Sequence, residues 1–404
     1  MNAIRSFCKV WLILGLCLPL ALSPAVGQAD ESKGSGKKCE GTKKERKQKL
    51  ELREITDEQF QKMIERYREE LSAEFERLRE TGFRRLQRKY EASRETGEPF
   101  VYDVLVISGG GAKGAFGAGF FQGWGEVEPG PNARPEFDMV TGVSTGALLA
   151  PFAFLGTDEG YARAVEFYAN PEPNWVTKRG TIKFLPGHVS MFNNCHLHDT
   201  IRDAMNPATI GALAEAAAED RLLLIEATNL DTGSGRVFDL GWEALRAEEE
   251  GSFDRIASIL LASSAIPAAF PPLEIDGMLY ADGGATSNLF ITAFPGAEGV
   301  LARFLAANPG ASRPKVRVWV VVNQHLKPAH VVTQPRWVEI SVRALDTLTS
   351  SSQLFALQVI RDMVHEARVE RGVDAELRLV SIPDDAPRNA TGDMFDQEYM
   401  RALE

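Results

Sequence analysis

Two glycine-rich turns, each set between a predicted strand and a predicted helix, constrain the fold of this 404-residue chain most. The apolar strand Val101 to Ile107 runs into residues 109–114 (GGGAKG), and a helix follows from Ala115. The strand Phe137 to Val140 runs into residues 142–146 (GVSTG) and then into an apolar helix. Strands and helices that alternate in this way predict α/β layers around a parallel sheet.

Ser144 stands at the centre of the second turn and is the candidate nucleophile. In a Gly-x-Ser-x-Gly turn between a strand and a helix, the backbone is strained and crowded, so glycines flank a serine whose hydroxyl is pushed toward substrate. The first turn leaves another strand and offers unblocked backbone N–H groups to a developing oxyanion. An ordinary tight turn also matches these five residues, and it is the strand before and the helix after that favour a nucleophile.

The first turn also satisfies the Gly-x-Gly-x-x-Gly pattern of dinucleotide-binding loops. That pattern further requires an acidic residue at the end of the next strand, whereas Glu126 and Glu128 lie in a Pro- and Gly-rich connector before that strand. A phosphate-binding P-loop does not fit either, because Lys113 precedes a glycine rather than Ser or Thr. Lys113 is either a contact for an anionic phosphate headgroup or a surface lysine.

A serine hydroxyl needs a neighbouring base to become a useful nucleophile. Among the histidines, only His325, just past the apolar run Val316 to Val322, stands where the histidine of a Ser-His-Asp hydrolase would be. Asp282 is the better candidate, because residues 282–284 (DGG) place a carboxylate on a glycine turn that another backbone can approach closely.

Three of these segments together resemble the signatures of patatin-like phospholipases. They are Ser108 to Gly114, Gly142 to Gly146 and Asp282 to Gly284, and they occur in the order found in that family. Residues 227–233 (ATNLDTG) and 262–272 (ASSAIPAAFPP) are also similar to the family. The resemblance covers the chain firmly from Val101 to Asn288 and more weakly as far as about Pro383.

The resemblance implies a three-layer α/β fold with a central, mostly parallel sheet, and hydrolysis of lipid acyl esters by a Ser–Asp dyad that uses no histidine, metal or other cofactor. By position, Ser144 is the nucleophile and Asp282 the base, and the backbone N–H groups of Gly110, Gly111 and Ala112 are the oxyanion donors. The other motif positions are Gly109, Lys113, Gly114, Gly142, Gly146, Gly283 and Gly284. Ser108 stands where plant members commonly have Asp, and we expect little consequence because the neighbouring amides supply the donors.

The expected function is that of an exported lipid acyl hydrolase, of phospholipase A or esterase type, that works through an acyl-enzyme on a lipid or membrane-surface substrate. One alternative is a Ser-His-Asp esterase that uses His325 on small soluble esters. Another is an inactive patatin-like protein that binds or scaffolds a partner. The net charge of −11 argues against nucleic acid as a partner. Phe120, Phe121, Phe152 and Phe154 either line a substrate groove or belong to the core.

The first 29 residues predict a secretory signal peptide. Arg5 and Lys9 precede an apolar run from Val10 to Leu22, and small residues follow. We expect cleavage after Gly27 or Ala29 and a location in the periplasm, in the cell envelope or outside the cell. An uncleaved membrane anchor is the alternative, although the apolar run is short for a membrane span.

The mature chain divides into four predicted parts: a basic flexible linker (residues 30–55), an amphipathic helical extension (56–97), the catalytic domain (98–385) and a C-terminal tail or helix (386–404). The linker carries eight Lys and Arg residues between Lys33 and Lys49. The alternative to a solvated linker is a basic strip that binds an anionic membrane surface. Cys39 and Cys195 either pair in an oxidising compartment or stay free.

The helical extension begins with a capping box formed by Thr56 and Gln59. Ten apolar residues from Phe60 to Tyr90 then recur mostly every three or four positions and form one stripe, which Gly82 interrupts. The stripe has to pack on something. It either binds a partner or a second copy through residues 56–93, or lies on the catalytic domain of its own chain.

Overall fold

The computed structural model describes residues 53–171, 177–178, 190–292, 298–389 and 395–404. The predicted signal peptide, nearly all of the basic linker and Cys39 lie outside the described residues. In chain order the elements are α1 (Asp57–Thr96), β1 (Val101–Ile107), α2 (Gly114–Trp124), β2 (Met139–Val143), α3 (Thr145–Leu155), α4 (Asp158–Ala169), β3 (Thr177–Lys178), β4 (Phe192–Asn193), α5 (Cys195–Ala204), α6 (Pro207–Ala218), β5 (Leu222–Asn229), β6 (Ser234–Asp239), α7 (Leu240–Glu250), α8 (Asp254–Ser263), β7 (Leu273–Ile275), β8 (Met278–Asp282), α9 (Glu298–Ala307), β9 (Lys315–His325), α10 (Trp337–Val369), β10 (Asp374–Ile382) and α11 (Gln397–Leu403). Short 3-10 turns occupy Gly111–Lys113 and Gly283–Ala285.

The central sheet has the strand order β10-β9-β1-β2-β5-β8-β7, and β6 also pairs with β5. The pairs β10–β9, β9–β1, β1–β2 and β2–β5 are parallel. The pairs β5–β6, β5–β8 and β7–β8 are antiparallel. The sequence-based prediction of an α/β fold with a central, mostly parallel sheet is therefore confirmed.

Both faces of the sheet are covered by helices. Successive side chains of a strand point to opposite faces. In β1, Leu105 and Ile107 accordingly join one apolar cluster, while Val104 and Val106 join the other. Helices α2 to α8 supply most of the first cluster, and α9, α10 and part of α1 contribute to the second. Burial on both sides explains why the strands are continuous apolar runs rather than alternating patterns.

Strand β2 begins and ends later than the sequence predicts. We expected Phe137 to Val140, whereas the strand runs from Met139 to Val143. Thr141 and Gly142 pair with the end of β1, and the strand also pairs with β5 as far as Val143. The glycine looks like the end of a strand by sequence, but the paired neighbours on both sides extend the strand to the residue before Ser144.

Helix α1 lies on the catalytic domain of its own chain. The predicted capping box is present, with Gln59 N donating to Thr56 Oγ1 at 3.2 Å and Thr56 N donating to Gln59 Oε1 at 2.9 Å. The helix continues through Gly82, and Leu78 and Leu86 of its apolar stripe are buried in the core. This packing corresponds to the second of the two roles that the sequence left open for the stripe.

Among the described residues, no helix combines the length and the apolar composition that crossing a membrane requires.

Candidate active site

Ser144 occupies a sharp turn between β2 and α3. Its backbone has φ 53° and ψ −121°, a left-handed conformation that costs a non-glycine residue about 1–3 kcal/mol. The turn also requires glycine nearby, because a Cβ on Gly146 would collide with the carbonyl oxygens of Ile107 and Ser108. The structure thus has the strained strand-to-helix turn that the Gly-x-Ser-x-Gly pattern predicts.

Asp282 is the hydrogen-bond partner of Ser144. The Ser144 hydroxyl Oγ donates to Asp282 Oδ2 at 2.7 Å, and the backbone N–H of Gly284 donates to Asp282 Oδ1 at 2.8 Å. The two residues are 138 positions apart in sequence, and the sheet brings them together. Strand β5 pairs Glu226 with Val143 on one side and Ala227 with Asp282 on the other.

Burial determines the ionisation of Asp282. The side chain is 5% exposed, and burial raises its pKa to about 6, while the hydrogen bonds from Ser144 and Gly284 act in the opposite direction. A carboxylate with a pKa near 6 is ionised at neutral pH and is still basic enough to accept a proton from a neighbouring hydroxyl. The pair therefore has the geometry and the ionisation that a nucleophile and its base need.

The glycine loop that follows β1 lies against the same turn. A Cβ on Gly109 would come within 3.2 Å of the Ser144 Cβ, and Gly111 lines the cavity onto which Ser144 opens. Gly111 also has φ 60°, a conformation that favours glycine. Within the described part of the chain, the N–H groups of Gly110, Gly111 and Ala112 donate to no acceptor. The role of these groups as oxyanion donors remains a prediction.

Ser108, where the sequence departs from the common family pattern, helps to hold the loop. Its hydroxyl accepts from the Asn323 backbone N–H at 2.8 Å and donates to the Gly109 carbonyl at 2.7 Å. The Gly109 N–H donates to the Asn288 carbonyl at 3.2 Å. These contacts tie the loop to β9 and to the segment after Asp282, and they leave the amides of the following three residues unused.

Ser263 is a supporting residue that sequence reasoning missed. Its hydroxyl accepts from the Ser144 N–H at 3.0 Å and donates to the Glu226 carbonyl at 2.6 Å. The N–H of Ser144 is thereby occupied and not available to an oxyanion. Residues 262–272 carried the only sequence signal, since they resemble the family, but the resemblance does not say which of them contacts the serine.

Two apolar cavities adjoin the serine. The first, of about 370 Å³ including space open to solvent, contains Ser144 and Gly111 and is otherwise lined mainly by apolar side chains. The second, of about 340 Å³ on the same measure, is lined by Leu148, Leu149, Phe152, Ala164, Phe167, Tyr168, Ile201, Ala204, Met205 and Leu260. Leu148, Phe167 and Tyr168 line both cavities, so the second cavity, which Ser144 does not line, adjoins the first.

Of the four phenylalanines considered from the sequence, Phe152 lines this second cavity. Phe121 and Phe154 are buried in the core, and Phe120 packs against it.

His325 is not brought together with Ser144. It ends β9 opposite Ile382 of β10, and β1 separates β9 from β2 in the sheet. Two strand spacings amount to about 10 Å. Burial lowers the pKa of His325. Lys113, half-buried beside the glycine loop, has its pKa lowered by burial, and the charge of Asp346 opposes that shift.

No group of three or more His, Cys, Asp or Glu side chains in the described ranges is arranged to hold a metal ion. The side chain of Cys195 is outside the described residues, as is Cys39, so the structure does not test their pairing.

Comparisons with known proteins agree with the sequence motifs. Residues 105–295 match the model of the family described as Patatin-like phospholipase. A curated relative, named a cGAMP-activated phospholipase from Pseudomonas aeruginosa (strain BWHPSA011 / Pa011), is 28% identical over 202 residues, which are 46% of this chain and 54% of the relative. The chain thus spans about half the length of that relative. The crystal structure of VipD from Legionella pneumophila is 12% identical, with a TM-score of 0.29 over 75% of this chain and 66% of that one.

The matched residues 105–295 include the glycine loop, the Ser144 turn and the Asp282 turn, which are the segments that the structure assembles around one cavity. Residues 105–295 of the chain are therefore similar to the patatin-like phospholipase family over the whole of the candidate site.

Proposed function

We propose that this protein is an exported lipid acyl hydrolase that cleaves carboxylic esters through Ser144 and Asp282. The observation that carries the proposal is the 2.7 Å hydrogen bond from Ser144 Oγ to a buried carboxylate, on a strained turn that opens onto an apolar cavity. The name of the Pseudomonas aeruginosa relative, a phospholipase, supports a lipid ester as the class of substrate.

The reaction begins when Asp282 accepts the proton of the Ser144 hydroxyl while Ser144 Oγ attacks the ester carbonyl carbon. The carbonyl oxygen becomes an oxyanion, which the N–H groups of Gly110, Gly111 and Ala112 stabilise; loss of one such donor typically costs about 3–4 kcal/mol of transition-state stabilisation. The intermediate collapses, the ester bond breaks, and the proton held by Asp282 goes to the leaving alcohol. An acyl-enzyme on Ser144 remains.

Water then attacks the acyl-enzyme, and Asp282 accepts the proton of the water. Collapse of the second tetrahedral intermediate breaks the bond to Ser144 Oγ, which recovers its proton from Asp282. The free fatty acid leaves. In acylation and again in deacylation, Asp282 acts first as base and then as acid. The hydrogen bond from Gly284 keeps the Asp282 carboxylate oriented toward the serine.

The cavities favour a long acyl chain over a small soluble ester. The second cavity is lined almost wholly by apolar side chains from α3, α4, α5 and α8, and it shares three of them with the cavity at Ser144. Apolar surface removed from water contributes about 25 cal/mol per Å², so an extended hydrocarbon chain gains affinity in such a space. A polar headgroup gains no affinity from an apolar cavity and therefore stays on the solvent side.

Loss of either member of the dyad should abolish ester cleavage. Ser144→Ala and Asp282→Asn should each lower kcat by at least about a thousandfold, measured by mass spectrometry of the products from mixed phospholipids. Ser258→Ala is the matched control, because the Ser258 hydroxyl donates only to the Asp254 carbonyl of its own helix. Circular dichroism checks that each variant is folded.

Full activity of a folded Ser144→Ala or Asp282→Asn variant would contradict the dyad. A fluorophosphonate probe should also label the wild-type protein at Ser144 and fail to label Ser144→Ala. If His325→Ala were as inactive as Ser144→Ala, the Ser-His-Asp mechanism would be the correct one.

Export is part of the proposal, and the pattern of residues 1–29 supports it. The chain produced in its native host should begin at Gln28 or Asp30 and should be found in the periplasm, in the envelope or in the medium. Mass spectrometry of the N-terminus after cell fractionation measures both properties. A cytoplasmic protein that retains residues 1–29 would contradict export.

A further inference from the structure

Six large apolar side chains are exposed within residues 331–348, a segment that we name the apolar arm. It comprises the end of the loop after β9 and the first part of α10. The exposed fractions are 63% for Val331, 85% for Val332, 52% for Ile340, 59% for Val342, 50% for Leu345 and 66% for Leu348. Single exposed apolar residues are common on protein surfaces, whereas six of them within one 18-residue segment indicate a surface that binds something.

The apolar arm projects from a helix whose other half is anchored in the core. In the second half of α10, Leu357, Ile360 and Val364 are buried against the sheet. In the first half, nearly every described side chain is exposed or half-buried. The arm is held in place at its base, because Arg343 Nη2 donates to the Ala329 carbonyl of the preceding loop at 2.8 Å.

The directions of the apolar side chains indicate what covers them. A helix turns about 100° per residue, so the directions of Ile340 and Val342 differ by about 160° the short way round the helix and by about 200° the long way. Leu345 and Leu348 point into the long arc. A second protein, including a second copy of this chain, covers one face of such a helix. A lipid surface into which the arm inserts surrounds it over the whole arc.

A hydrogen bond to α10 just beyond the arm and a charge interaction of the arm itself place the arm near the glycine loop. Asn288 Nδ2 donates to Gln353 of α10 at 2.8 Å, and the carbonyl of the same Asn288 accepts from Gly109 in the glycine loop. Asp346, between Leu345 and Leu348, is close enough to Lys113 of that loop for its charge to act on the lysine. A surface that the arm enters therefore lies near the mouth of the cavity at Ser144.

The charge of the segment also suits a lipid surface better than the rest of the chain does. The apolar arm contains two Arg, one Glu and one Asp, a net charge of zero, whereas the whole chain has a net charge of −11. The arm thus avoids the repulsion that the acidic remainder would meet at an anionic membrane. Because the arm has no net charge, apolar insertion supplies most of the binding.

We propose that the apolar arm, residues 331–348, inserts into the surface of a lipid bilayer and docks the active site on its substrate. The inference rests on the proposed function for its biological purpose, since only a lipid substrate gives such docking a role in catalysis. Docking itself does not depend on the chemistry of Ser144.

The test uses the full mature chain with vesicles of phosphatidylcholine and phosphatidylglycerol, in a co-sedimentation assay. Val332→Ser combined with Leu348→Ser should weaken vesicle binding by about tenfold or more, because two apolar side chains lose their transfer from water into lipid. Phe75→Ser combined with Val127→Ser is the matched control, since these side chains are 53% and 45% exposed elsewhere on the surface. The control should bind vesicles like the wild type.

Cleavage of a monomeric soluble ester by the arm variant reports whether its active site is intact. The Ser144→Ala variant should bind vesicles like the wild type, so failure of the dyad and failure of docking give different results. Unchanged vesicle binding by the arm variant, or equal losses in the arm and control variants, would overturn the proposal. So would a lipid-free dimer of the wild type, seen by size-exclusion chromatography, that the arm variant no longer forms.

Discussion

Asp282 is the residue whose ionisation sets the pH dependence of the proposed reaction. Its carboxylate accepts the serine proton, so only the ionised form is active. Burial raises the pKa of Asp282 to about 6. We therefore expect kcat/KM to be constant above that pH and to fall about tenfold for each pH unit below it. Initial rates on a monomeric ester across this range measure the profile, with circular dichroism at each pH to confirm folding.

The titration of a second buried carboxyl group has to be distinguished from the titration of Asp282 in this pH profile. Glu226 lies behind the site on β5, accepts from Thr286 Oγ1 at 3.0 Å, and has a pKa that burial raises to about 7. Glu226→Gln keeps an oxygen that can accept from Thr286 and removes the titratable carboxyl group. The variant should retain the midpoint near pH 6 if Asp282 is the base. A midpoint that disappears in Glu226→Gln would assign the profile to Glu226 instead.

The sequence singled out the candidate nucleophile and base better than their surroundings. Ser144 and Asp282 could be singled out because each lies on a glycine turn, and the family resemblance placed them as partners. Ser263 and Asn288, which hold the Ser144 backbone and the glycine loop, carry no local pattern of their own. Their roles depend on which backbone groups they contact across the sheet, and no residue-by-residue pattern contains that information.

Helix α1 contributes to stability through a buried ion pair. Asp138 is completely buried and accepts from Arg85 Nε at 2.8 Å and from the Asp103 N–H at 2.7 Å. Arg85→Ala leaves this carboxylate without its main partner, although Lys89 lies 3.4 Å away. We expect the variant to lose about 3 kcal/mol of the free energy of unfolding, measured by urea denaturation.

Lys62→Ala is the matched control for Arg85→Ala on the same helix. Lys62 and Glu58 form an exposed i,i+4 pair at 2.8 Å, with 71% and 80% of their side chains exposed. Such a pair contributes about 0.3–0.5 kcal/mol. Similar losses in the two variants would mean that α1 is not stabilised by the buried pair.

Element boundaries were predictable where one signal dominates. Strand β1 has the bounds that the sequence predicts, Val101 to Ile107, because a long apolar run is unambiguous. Strand β2 shifted because its last residues are held by pairing with β1 and β5 rather than by their own propensity. Gly82 did not end α1, since tertiary packing of the buried helix face outweighs the cost of one glycine, about 1 kcal/mol.

At the scale of the whole molecule, the sequence predicted the layers but not the spaces between them. The second cavity exists because side chains from α3, α4, α5 and α8 meet next to the cavity at Ser144 without filling the volume. Apolar residues in these helices are indistinguishable by sequence from ordinary core. The apolar arm was also missed, since the helical period of α10 does not reveal that only its second half is covered.

If the proposed function is correct, the second cavity should set the length of the acyl chain that the protein accepts. Ala204 lines this cavity at the end of α5 and is only half-buried, so a larger side chain there occupies the cavity without severe crowding of the core. Ala204→Phe should lower the ratio of kcat/KM for a long-chain ester to that for a short-chain ester by about tenfold. Ala208→Phe, which adds the same ring at an exposed position of α6, should leave the ratio unchanged. Because each variant is compared on two esters, a general loss of folded enzyme cancels from the ratio. An unchanged ratio in a folded Ala204→Phe variant would mean that the acyl chain takes another route from Ser144.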